Sequence, residues 1–450
     1  PTPALSFAVL DRRCEGGVMV TASHNPARYN GYKAYAADGA QISGEVAAAV
    51  SAEIEKTDIF DDVKLVDFEE ALAAGTIEYI DNALIERYYA AVMAQALRPE
   101  LGKTAGLRLV YTPLNGSGLV PVMTVLKRMG HTDITVVPEQ EKPDGDFPTC
   151  PYPNPEILEA MQLGLSLCEK LGADLLLATD PDSDRVGTAV LQNGAPRLIS
   201  GNEMGVLLLD YICRTRLELC KMPENPVAVR SIVSTTMSDA VAAHYGVEMR
   251  QVLTGFKYIG EQIAHLEAEG HPERFLFGFE ESYGYLSGGY VRDKDAVVAS
   301  MLICEMAAWY KGLGKNLGEA LDDLYAQYGY YFNKVDSYTF PGSDGMEKMA
   351  VLMQKLRTEL PFVIGSRAVT GHTDYAAGLR YEDGEGKTPT GLPAADVMEF
   401  RFGKEGSLVA RPSGTEPKLK FYYSLRASDR AAAEAAYGEI KASVERRLGL

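Results

Sequence analysis

The segment NPEILEAMQLGLSLCEKLGADLLLATDPDSDR, residues 154–185, decides the fold of this chain. Asn154 and Pro155 are typical of the N-cap and first turn of a helix, and Gly172 is typical of its end. The apolar run ADLLLAT then indicates a buried strand, and DPDSDR follows at the carboxyl end of that strand. A helix that leads into a buried strand and a polar loop predicts an α/β domain with a functional loop at the sheet edge.

A similar order of strand, small polar residues and helix occurs elsewhere in the chain. The stretches are VMVTASHN (18–25), LVYTPLNGSG (109–118) and SIVSTTMSD (231–239). Their spacing of roughly 100 residues is too long for a solenoid and favours repeated α/β domains. The pattern changes near Phe332 to alternating strands followed by a last helix, which predicts a separate α+β domain.

The composition is that of an ordinary globular protein, and 450 residues are enough for several domains. The formal net charge of -18 argues against nonspecific nucleic-acid binding. We find no run of about 20 apolar residues and no secretory signal pattern, so we expect no membrane partner and a cytoplasmic location. The six cysteines form no Cys-x-x-Cys pair, which favours reduced thiols over zinc ligands.

The loop DPDSDR carries Asp180, Asp182 and Asp184 at alternate positions. Three carboxylates at the end of a buried strand repel one another unless a cation compensates them, and Mg²⁺ prefers such oxygen ligands. A solvated acidic turn is the alternative. The spacing does not match an EF-hand, so we predict a magnesium site of another kind.

Two further motifs indicate binding of phosphate and sugar. RPSGTEPKLK, residues 411–420, combines a guanidinium, hydroxyl groups, a glycine and two lysines, which predicts a phosphate-binding loop, with an ordinary hairpin turn as the alternative. In GFEESYGY, residues 278–285, an extended backbone would place Glu280 and Ser282 on one side, where they could bind sugar hydroxyls. Solvation of an edge strand is the alternative there. Lys294 in RDKDA either forms a surface ion pair or reaches a phosphate.

Ser23 in VMVTASHNPARYNGYK, residues 18–33, allows three interpretations. It could be a helix cap, the nucleophile of a Ser-His-Asp hydrolase, or a phosphoryl carrier. The hydrolase motif Gly-x-Ser-x-Gly is missing, and His24 is poorly placed to act as base for its sequence neighbour. A phosphoserine would be a natural fourth ligand to Mg²⁺ held by three aspartates, which favours the third interpretation.

Taken in order, TASHNP with YNGYK, DPDSDR, GFEESYGY and RPSGTEPK resemble the motifs of the α-D-phosphohexomutase superfamily, and within it the phosphoglucomutase/phosphomannomutase family. The resemblance covers nearly the whole chain. It implies an α/β protein with three related α/β domains with mixed sheets and a C-terminal α+β domain around a central cleft. We expect these domains at residues 1–102, 103–222, 223–330 and 331–450.

The resemblance also implies roles for single residues. Ser23 matches the phosphorylated serine, which is also a metal ligand through its phosphate, and Asp180, Asp182 and Asp184 match the ligands of one Mg²⁺ per chain. Lys33 and Lys294 match lysines with acid/base and phosphate roles. The matched substrate contacts are His24, Arg185, Thr254, Glu280, Ser282, Arg411, Ser413, Gly414 and Thr415.

The activity implied is that of a phosphoglucomutase, an isomerase that interconverts glucose 1-phosphate and glucose 6-phosphate. The reaction would pass through a phosphoserine enzyme, with glucose 1,6-bisphosphate as intermediate and activator. The alternatives are a phosphopentomutase, a phosphomannomutase and a noncatalytic sugar-phosphate-binding fragment. The family's first domain has a longer segment before this serine, so we expect the chain to lack the first part of domain I. We also expect a hinge near the junction of the third and fourth domains.

Overall fold

The computed structural model describes residues 1–342, 344–384, 386–413 and 417–450. The first unit packs helix α1 on an antiparallel pair of strands, β1 and β2, in which Met19 lies opposite Lys33. Its elements are α1 (Thr2–Arg12), β1 (Gly16–Val20), β2 (Tyr32–Ala36), α2 (Gly44–Lys56), α3 (Phe68–Ala73), α4 (Asn82–Met93) and α5 (Leu101–Thr104).

The apolar run at residues 18–20 predicts a short buried strand. The strand is present as β1, but the prediction that it is buried is wrong. Helix α1 covers only one face of β1, where a Cβ on Gly17 would lie 2.7 Å from Val9 Cγ2. No described element covers the other face, so Val18 is 62% exposed and Val20 74% exposed. The helical spacing of Val46, Val50 and Ile54 after Ser43 predicts a second helix. This helix is α2, and these three apolar residues are exposed as well.

The second unit contains a mixed five-stranded sheet in the order β4-β3-β5-β6-β7. Strand β3 is parallel to β4 and β5, whereas β6 is antiparallel to β5 and β7. The elements are β3 (Leu109–Thr112), α6 (Leu119–Arg128), β4 (Ile134–Val136), α7 (Leu158–Leu171), β5 (Leu175–Thr179), β6 (Val186–Gln192) and β7 (Ala195–Ile199). Every residue of β5 is buried, as its apolar sequence predicts.

Helix α7 confirms the predicted helix but not its predicted N-cap. The Asn154 side chain accepts a hydrogen bond from the Glu156 amide at 3.0 Å and so closes a local turn. Because the side chain is used there, the helix begins three residues later, with Ile157 at the N-cap. Gly172 ends the helix with a φ of 61°, as predicted.

The third unit contains a second mixed sheet, in the order β11-β10-β8-β9. Strand β8 is parallel to β9 and β10, and β11 is antiparallel to β10. Helix α8 packs against β10, and α11 is almost entirely buried. The elements are α8 (Gly201–Glu218), β8 (Val227–Ser231), α9 (Met237–His244), β9 (Glu248–Val252), α10 (Phe256–Ala268), β10 (Phe275–Glu280), β11 (Gly284–Ser287), α11 (Ala296–Gly312) and α12 (Leu317–Tyr328).

The fourth unit is built on a seven-stranded antiparallel sheet, in the order β12-β20-β19-β18-β15-β16-β17, with β13 and β14 as a separate hairpin. Its elements are β12 (Tyr330–Thr339), α13 (Gly345–Thr358), β13 (Val363–Ile364), β14 (Arg367–Ala368), β15 (Gly371–Asp374), β16 (Leu379–Glu382), β17 (Gly386–Pro389), β18 (Met398–Arg401), β19 (Gly406–Pro412), β20 (Lys418–Ala427) and α14 (Arg430–Leu448).

The two faces of this last sheet pack against different partners. One face carries Phe400 and Phe421 and packs against α13 and α14. The other face carries Val409 and Tyr422, which join Ile232 of the third unit in a smaller apolar cluster. This cluster joins the fourth unit to the third.

The four units surround a cleft of about 770 Å³ that receives residues from each of them. Three α/β units, of which the second and third contain mixed sheets, and a separate C-terminal unit confirm the predicted fold class. Within the described residues no single helix is long and apolar enough to cross a membrane, although α11 and α12, bent by 82°, pass that test of length and composition as a pair.

Candidate active site

Ser23 lies three residues beyond the end of β1, next to His24, which lines the cleft. Its backbone is left-handed, with a φ of 53°, and its amide donates to Thr21 Oγ1 at 2.8 Å. Its hydroxyl oxygen lies 3.3 Å from Asp180 Oδ2 of the second unit. Residues 21–31 form turns and irregular backbone with no helix, so the helix-cap interpretation of Ser23 is wrong. The loop instead holds the hydroxyl against the acidic loop of another unit.

His24 Nδ1 lies 3.2 Å from the Ser23 hydroxyl oxygen. Burial, reinforced by the positive charge of Arg185, lowers the pKa of His24 to about 3, so its ring is neutral near pH 7. No carboxylate among the described residues hydrogen-bonds to this ring. A Ser-His-Asp arrangement is therefore not assembled around Ser23.

The three predicted metal ligands converge. Asp180, Asp182 and Asp184 are buried, and each offers a carboxylate oxygen within 4.8 Å of the others. Asp180 Oδ1 accepts the amides of Asp184 and Arg185 at 3.1 and 3.0 Å, which leaves its Oδ2 directed toward Ser23. Asp182 Oδ1 and Asp184 Oδ1 are buried without hydrogen-bond partners in the described part of the chain. Such unpartnered anionic oxygens fit a small divalent cation.

The charges of the three carboxylates act on one another. Burial and the neighbouring charges of Asp182 and Asp184 raise the pKa of Asp180. Burial acts in the same direction on Asp184, but the adjacent Lys294 and Lys33 outweigh it and lower the pKa of Asp184. The protein therefore compensates part of this negative charge with its own cations, as a buried cluster requires.

Lys33 and Lys294 supply these cations, and both ammonium groups contact Asp184 Oδ2. Lys33 Nζ lies 2.8 Å from Asp182 Oδ2 and 2.6 Å from Asp184 Oδ2. Lys294 Nζ lies 2.9 Å from Asp184 Oδ2 and 3.3 Å from Asp293 Oδ1. Burial disfavours the charge on each lysine, but the surrounding carboxylates outweigh burial and raise the pKa of both. Each ammonium is therefore held in its charged form beside the aspartates.

Several residues at this site were not predicted from the sequence. Thr2 Oγ1 donates to Asp182 Oδ2 at 3.0 Å, and Glu156 Oε1 accepts from Arg185 at 3.0 Å. Asp293 accepts hydrogen bonds from Tyr35 and Gln41, both at 2.7 Å. Only Asp293 had a signal in the sequence, namely its position next to Lys294. The others depend on contacts between distant parts of the chain.

The sugar-binding motif is placed differently from the extended segment we expected. Strand β10 ends at Glu280, and Tyr283 has a φ of 67° in the turn before β11, so the alternation of side chains stops there. Ser282 lines the cleft together with Glu281. Glu280 accepts the Gly255 amide at 2.7 Å, and burial, reinforced by Glu281, raises the pKa of Glu280 to about 7.

The remaining predicted contacts lie on the third and fourth units. Thr254 lines the cleft, and its buried hydroxyl has no hydrogen-bond partner among the described residues. Arg411 of β19 pairs in register with Lys420 of β20, and both line the cleft. The Ser413 amide donates to the Lys418 carbonyl at 2.8 Å. Gly414 and Thr415 lie outside the described residues.

The cleft thus has two regions of different chemistry. In one region, next to His24 and Arg185 of the lining, the Ser23 hydroxyl meets buried carboxylates and two ammonium groups, which suits the transfer of a phosphoryl group. The other carries Arg411 and Lys420, which suits the binding of a second, unreacting phosphate. Thr254 and Ser282 add neutral hydroxyl groups to the lining of the cleft.

Comparisons with known proteins agree on one family. Sequence models of phosphoglucomutase/phosphomannomutase domains match this chain in order: α/β/α domain I at residues 1–59, α/β/α domain II at 86–193, α/β/α domain III at 200–328 and the C-terminal domain at 381–440. The phosphoglucomutase of Staphylococcus haemolyticus is 37% identical over 427 residues, which cover 94% of this chain and 76% of that protein. That of Staphylococcus aureus strain USA300 is 34% identical over 427 residues, which cover 94% of this chain and 75% of that protein.

Solved structures show the same fold. Parafusin, a phosphoglucomutase from Paramecium in its open form, is similar with a TM-score of 0.67 and 18% identity, covering 100% of this chain and 82% of that one. An N-acetylphosphoglucosamine mutase from Aspergillus fumigatus, in complex with GlcNAc-6P and magnesium, is similar with a TM-score of 0.58 and 16% identity, covering 99% and 92%.

Proposed function

The chain belongs to the phosphoglucomutase/phosphomannomutase family, and from this premise we propose that it is a magnesium-dependent phosphoglucomutase that interconverts glucose 1-phosphate and glucose 6-phosphate. The observation that carries the proposal is the position of the Ser23 hydroxyl, 3.3 Å from Asp180 in a cluster of three buried carboxylates. Relatives that bear the name phosphoglucomutase support glucose as the sugar.

In the proposed reaction Ser23 carries a phosphoryl group on its hydroxyl oxygen. The free hydroxyl of the bound sugar monophosphate attacks that phosphorus, the bond to Ser23 breaks, and glucose 1,6-bisphosphate forms. The sugar hydroxyl gives up its proton, and the Ser23 oxygen gains one. The bisphosphate then turns around in the cleft, and Ser23 takes back the other phosphoryl group by the reverse step.

Asp180, Asp182 and Asp184 would hold one Mg²⁺, with the phosphate of Ser23 as a further ligand. When bound, the cation supplies positive charge that stabilises the transferring phosphoryl group. The magnesium in the Aspergillus relative supports this assignment. Lys33 and Lys294, held charged by their carboxylates, would add positive charge and are the candidates for proton transfer.

The other residues would bind the substrate. Arg411 and Lys420 would hold the unreacting phosphate, together with the loop that contains Ser413, Gly414 and Thr415. Thr254, Glu280 and Ser282 would contact the sugar, and His24 and Arg185 would face the transferred phosphate. We also propose the domain boundaries 102/103 and 330/331 and a cytoplasmic location, for which the family relationship is the support. In place of the boundary expected at 222/223 we propose one near residue 200, because helix α8 packs against β10 of the third unit and the domain III match begins at residue 200.

The proposal is tested by incubating the chain with glucose 1,6-bisphosphate and Mg²⁺ and mapping phosphate by mass spectrometry. We expect one phosphate on Ser23, none in Ser23→Ala, and a normal amount in Ser43→Ala, which removes a serine outside the cleft. An unmodified Ser23 would exclude the phosphoserine mechanism and favour a noncatalytic sugar-phosphate binder.

The choice of sugar needs a second measurement. We expect the highest kcat/KM with glucose 1-phosphate, compared with mannose 1-phosphate and ribose 1-phosphate. A higher value with mannose 1-phosphate would make the chain a phosphomannomutase. A higher value with ribose 1-phosphate would make it a phosphopentomutase.

A further inference from the structure

A second polar cavity, of about 470 Å³, lies between the third and fourth units and shares no lining residue with the cleft. The third unit contributes Arg230, Thr236 and Asp239, and the fourth contributes side chains from β16, β18 and β20. The cavity and the cleft lie at different positions along strand β20. Lys420 faces the cleft and Arg426 faces the cavity, six residues apart and thus about 20 Å along an extended strand.

The charge of this cavity is opposite to that of the protein. Five basic side chains and two carboxylates line it, namely Arg230, Arg380, Arg401, Lys404 and Arg426 against Asp239 and Glu399. The lining therefore carries a formal charge of +3 in a chain whose net charge is -18. Basic side chains gathered in a concave site repel one another and attract a small anion.

Two of the arginines are fixed by the protein itself. Arg230 makes two hydrogen bonds to Asp239, at 2.9 and 2.7 Å, and is almost fully buried. Arg401 bonds to Glu399 at 3.0 Å and lies 2.7 Å from Glu382. Asp239 and Glu399, the two carboxylates of the lining, are thus each paired with one of these arginines. They therefore do not neutralise the remaining cations of the lining.

The other cations have no acidic partner in the described part of the chain. Arg380 forms no ion pair there, and its Nε is buried without a hydrogen-bond partner. Lys404 is exposed at the cavity rim and forms no ion pair. Arg426 donates only to the carbonyl of Tyr328, at 2.8 Å. The protein therefore leaves the charges of these three side chains without an acidic partner in the described residues, so they are available to an anion.

We propose that this cavity is a second anion-binding site, which takes a small phosphate-bearing molecule. Arg380, Lys404 and Arg426 would bind the phosphate oxygens, since guanidinium groups match phosphate geometry. The volume is in the range of sites for small metabolites and exceeds the space that a single phosphate needs. The hydroxyls of Thr236 and Ser407, one from each unit, can bond to the rest of the ligand.

Because the site joins the third unit to the fourth, its ligand holds these two units in one relative position. Near the cavity the two units also meet through the contact between Thr236 Oγ1 and Ser424 Oγ, at 3.4 Å, and through the hydrogen bond from Arg426 to the Tyr328 carbonyl. The fourth unit also carries Arg411 of the cleft. A ligand in the cavity therefore contacts the same unit that carries Arg411.

The test measures binding of radiolabelled inorganic phosphate by equilibrium dialysis, at an ionic strength of about 0.15 M, where weak surface attraction is screened. We expect Arg380→Gln/Lys404→Gln to bind one phosphate fewer per chain than the native protein. Lys348→Gln/Arg446→Gln, which removes equal charge from exposed helix positions of the same unit, should bind the native number. Arg411→Gln should keep the cavity site and lose phosphate only from the cleft.

Hydrogen exchange of the native protein gives an independent readout. Phosphate should slow exchange in residues 379–382 and 403–407, and this protection should persist in Arg411→Gln. Glycerol 3-phosphate, used as a second probe, should compete with phosphate for the site. An equal phosphate count in the native protein and Arg380→Gln/Lys404→Gln, with no protection of these segments, would overturn the proposal. This result would leave the mutase proposal intact, because that proposal depends on Ser23.

Discussion

The ammonium nitrogen of Lys33 lies 2.6 Å from Oδ2 of Asp184, which is 151 residues away in the sequence. The pair links the first unit to the second at the point where three carboxylates converge. Lys33 thus supplies positive charge in the same place where Mg²⁺ would supply it. The stability of the protein and its response to Mg²⁺ should therefore be connected through this lysine.

Replacement of Lys33 by glutamine should destabilise the metal-free protein. The change removes one charge partner of two buried carboxylates, while Lys294 still compensates Asp184 at 2.9 Å. We expect a loss of about 3 kcal/mol in the free energy of unfolding in EDTA, near the lower limit for breaking a buried ion pair. Added Mg²⁺ should restore most of this loss, so the stabilisation by Mg²⁺ should be larger in Lys33→Gln than in the native chain.

Urea unfolding with EDTA and with Mg²⁺ measures both effects. Lys56→Gln is the control, because Lys56 forms an exposed pair with Glu53 and its loss should change stability by less than about 1 kcal/mol. Equal stabilisation of the native protein and Lys33→Gln by Mg²⁺ would contradict the link between Lys33 and the metal site.

Glu280 should make the stability of the protein depend on pH. Burial and Glu281 raise the pKa of Glu280 to about 7, whereas an unfolded chain has a glutamate pKa of about 4.3. Between about pH 4.3 and about pH 7, Glu280 keeps its proton in the folded protein, whereas the same glutamate in the unfolded chain has released it. The free energy of unfolding therefore falls as the pH rises through this range. We expect the Glu280 contribution to fall by roughly 2 to 3 kcal/mol between pH 5 and pH 8.

Glutamine is a suitable replacement because it keeps an oxygen that can accept the Gly255 amide. The free energy of unfolding of Glu280→Gln should therefore depend less on pH than that of the native protein, when measured at pH 5, 6, 7 and 8. Glu55→Gln, at an exposed position of α2, should follow the native curve. If Glu280→Gln follows the native curve as well, Glu280 does not titrate in this range.

The parts of the site that could be predicted from the sequence are those built within one loop. Asp180, Asp182 and Asp184 are close in sequence, so a tight turn brings their carboxylates together whatever the rest of the fold does. Gly172 ended its helix as predicted, because a left-handed residue at a helix end is a local requirement. The order of strand and helix in the α/β units follows from local periodicity in the same way.

Contacts between distant segments could not be predicted in this way. Asp293 bonds to Tyr35 and Gln41, more than 250 residues away, and nothing in these residue types indicates the pairing. The exposure of the apolar residues of α2 could not be predicted either. Periodicity predicts the helix, but whether Val46 and Ile54 are covered depends on which elements lie nearby. The turn at Tyr283 likewise interrupts a strand pattern that continues in the sequence.

Replacement of Arg411 by glutamine should weaken substrate binding more than it slows turnover. Arg411 lies in the cleft beside Lys420, on the fourth unit, whereas Ser23 is on the first. Loss of a charge-assisted hydrogen bond costs about 1.5 to 3 kcal/mol, which corresponds to roughly a 10- to 150-fold increase in KM. Steady-state kinetics with glucose 1-phosphate, with Arg446→Gln as the charge-matched control, measure this. A fall in kcat at constant KM would instead assign Arg411 to the chemical step.

Gly329 should be sensitive to any side chain, because it is the single residue between α12 of the third unit and β12 of the fourth. Its φ of 96° and ψ of 164° lie in a region that is essentially restricted to glycine. An added Cβ would also lie 2.8 Å from Arg426 Nε. We expect Gly329→Ala to lower the free energy of unfolding by about 1 to 3 kcal/mol. We also expect it to change kcat and KM together, as the mutation of a hinge does.

A matched glycine in the same unit separates a hinge effect from a general effect of alanine. Gly312 ends α11, its φ is not left-handed, and an added Cβ would meet no atom within 4 Å. Gly312→Ala should therefore leave kcat and KM unchanged and should leave stability equal or slightly higher, since alanine favours a helix over glycine. If Gly329→Ala loses stability but keeps native kcat and KM, the residue is needed for the fold of the junction, and movement between the two units does not limit turnover. If both kinetic constants change while those of Gly312→Ala do not, the junction at Gly329 controls how the fourth unit, with Arg411, approaches Ser23.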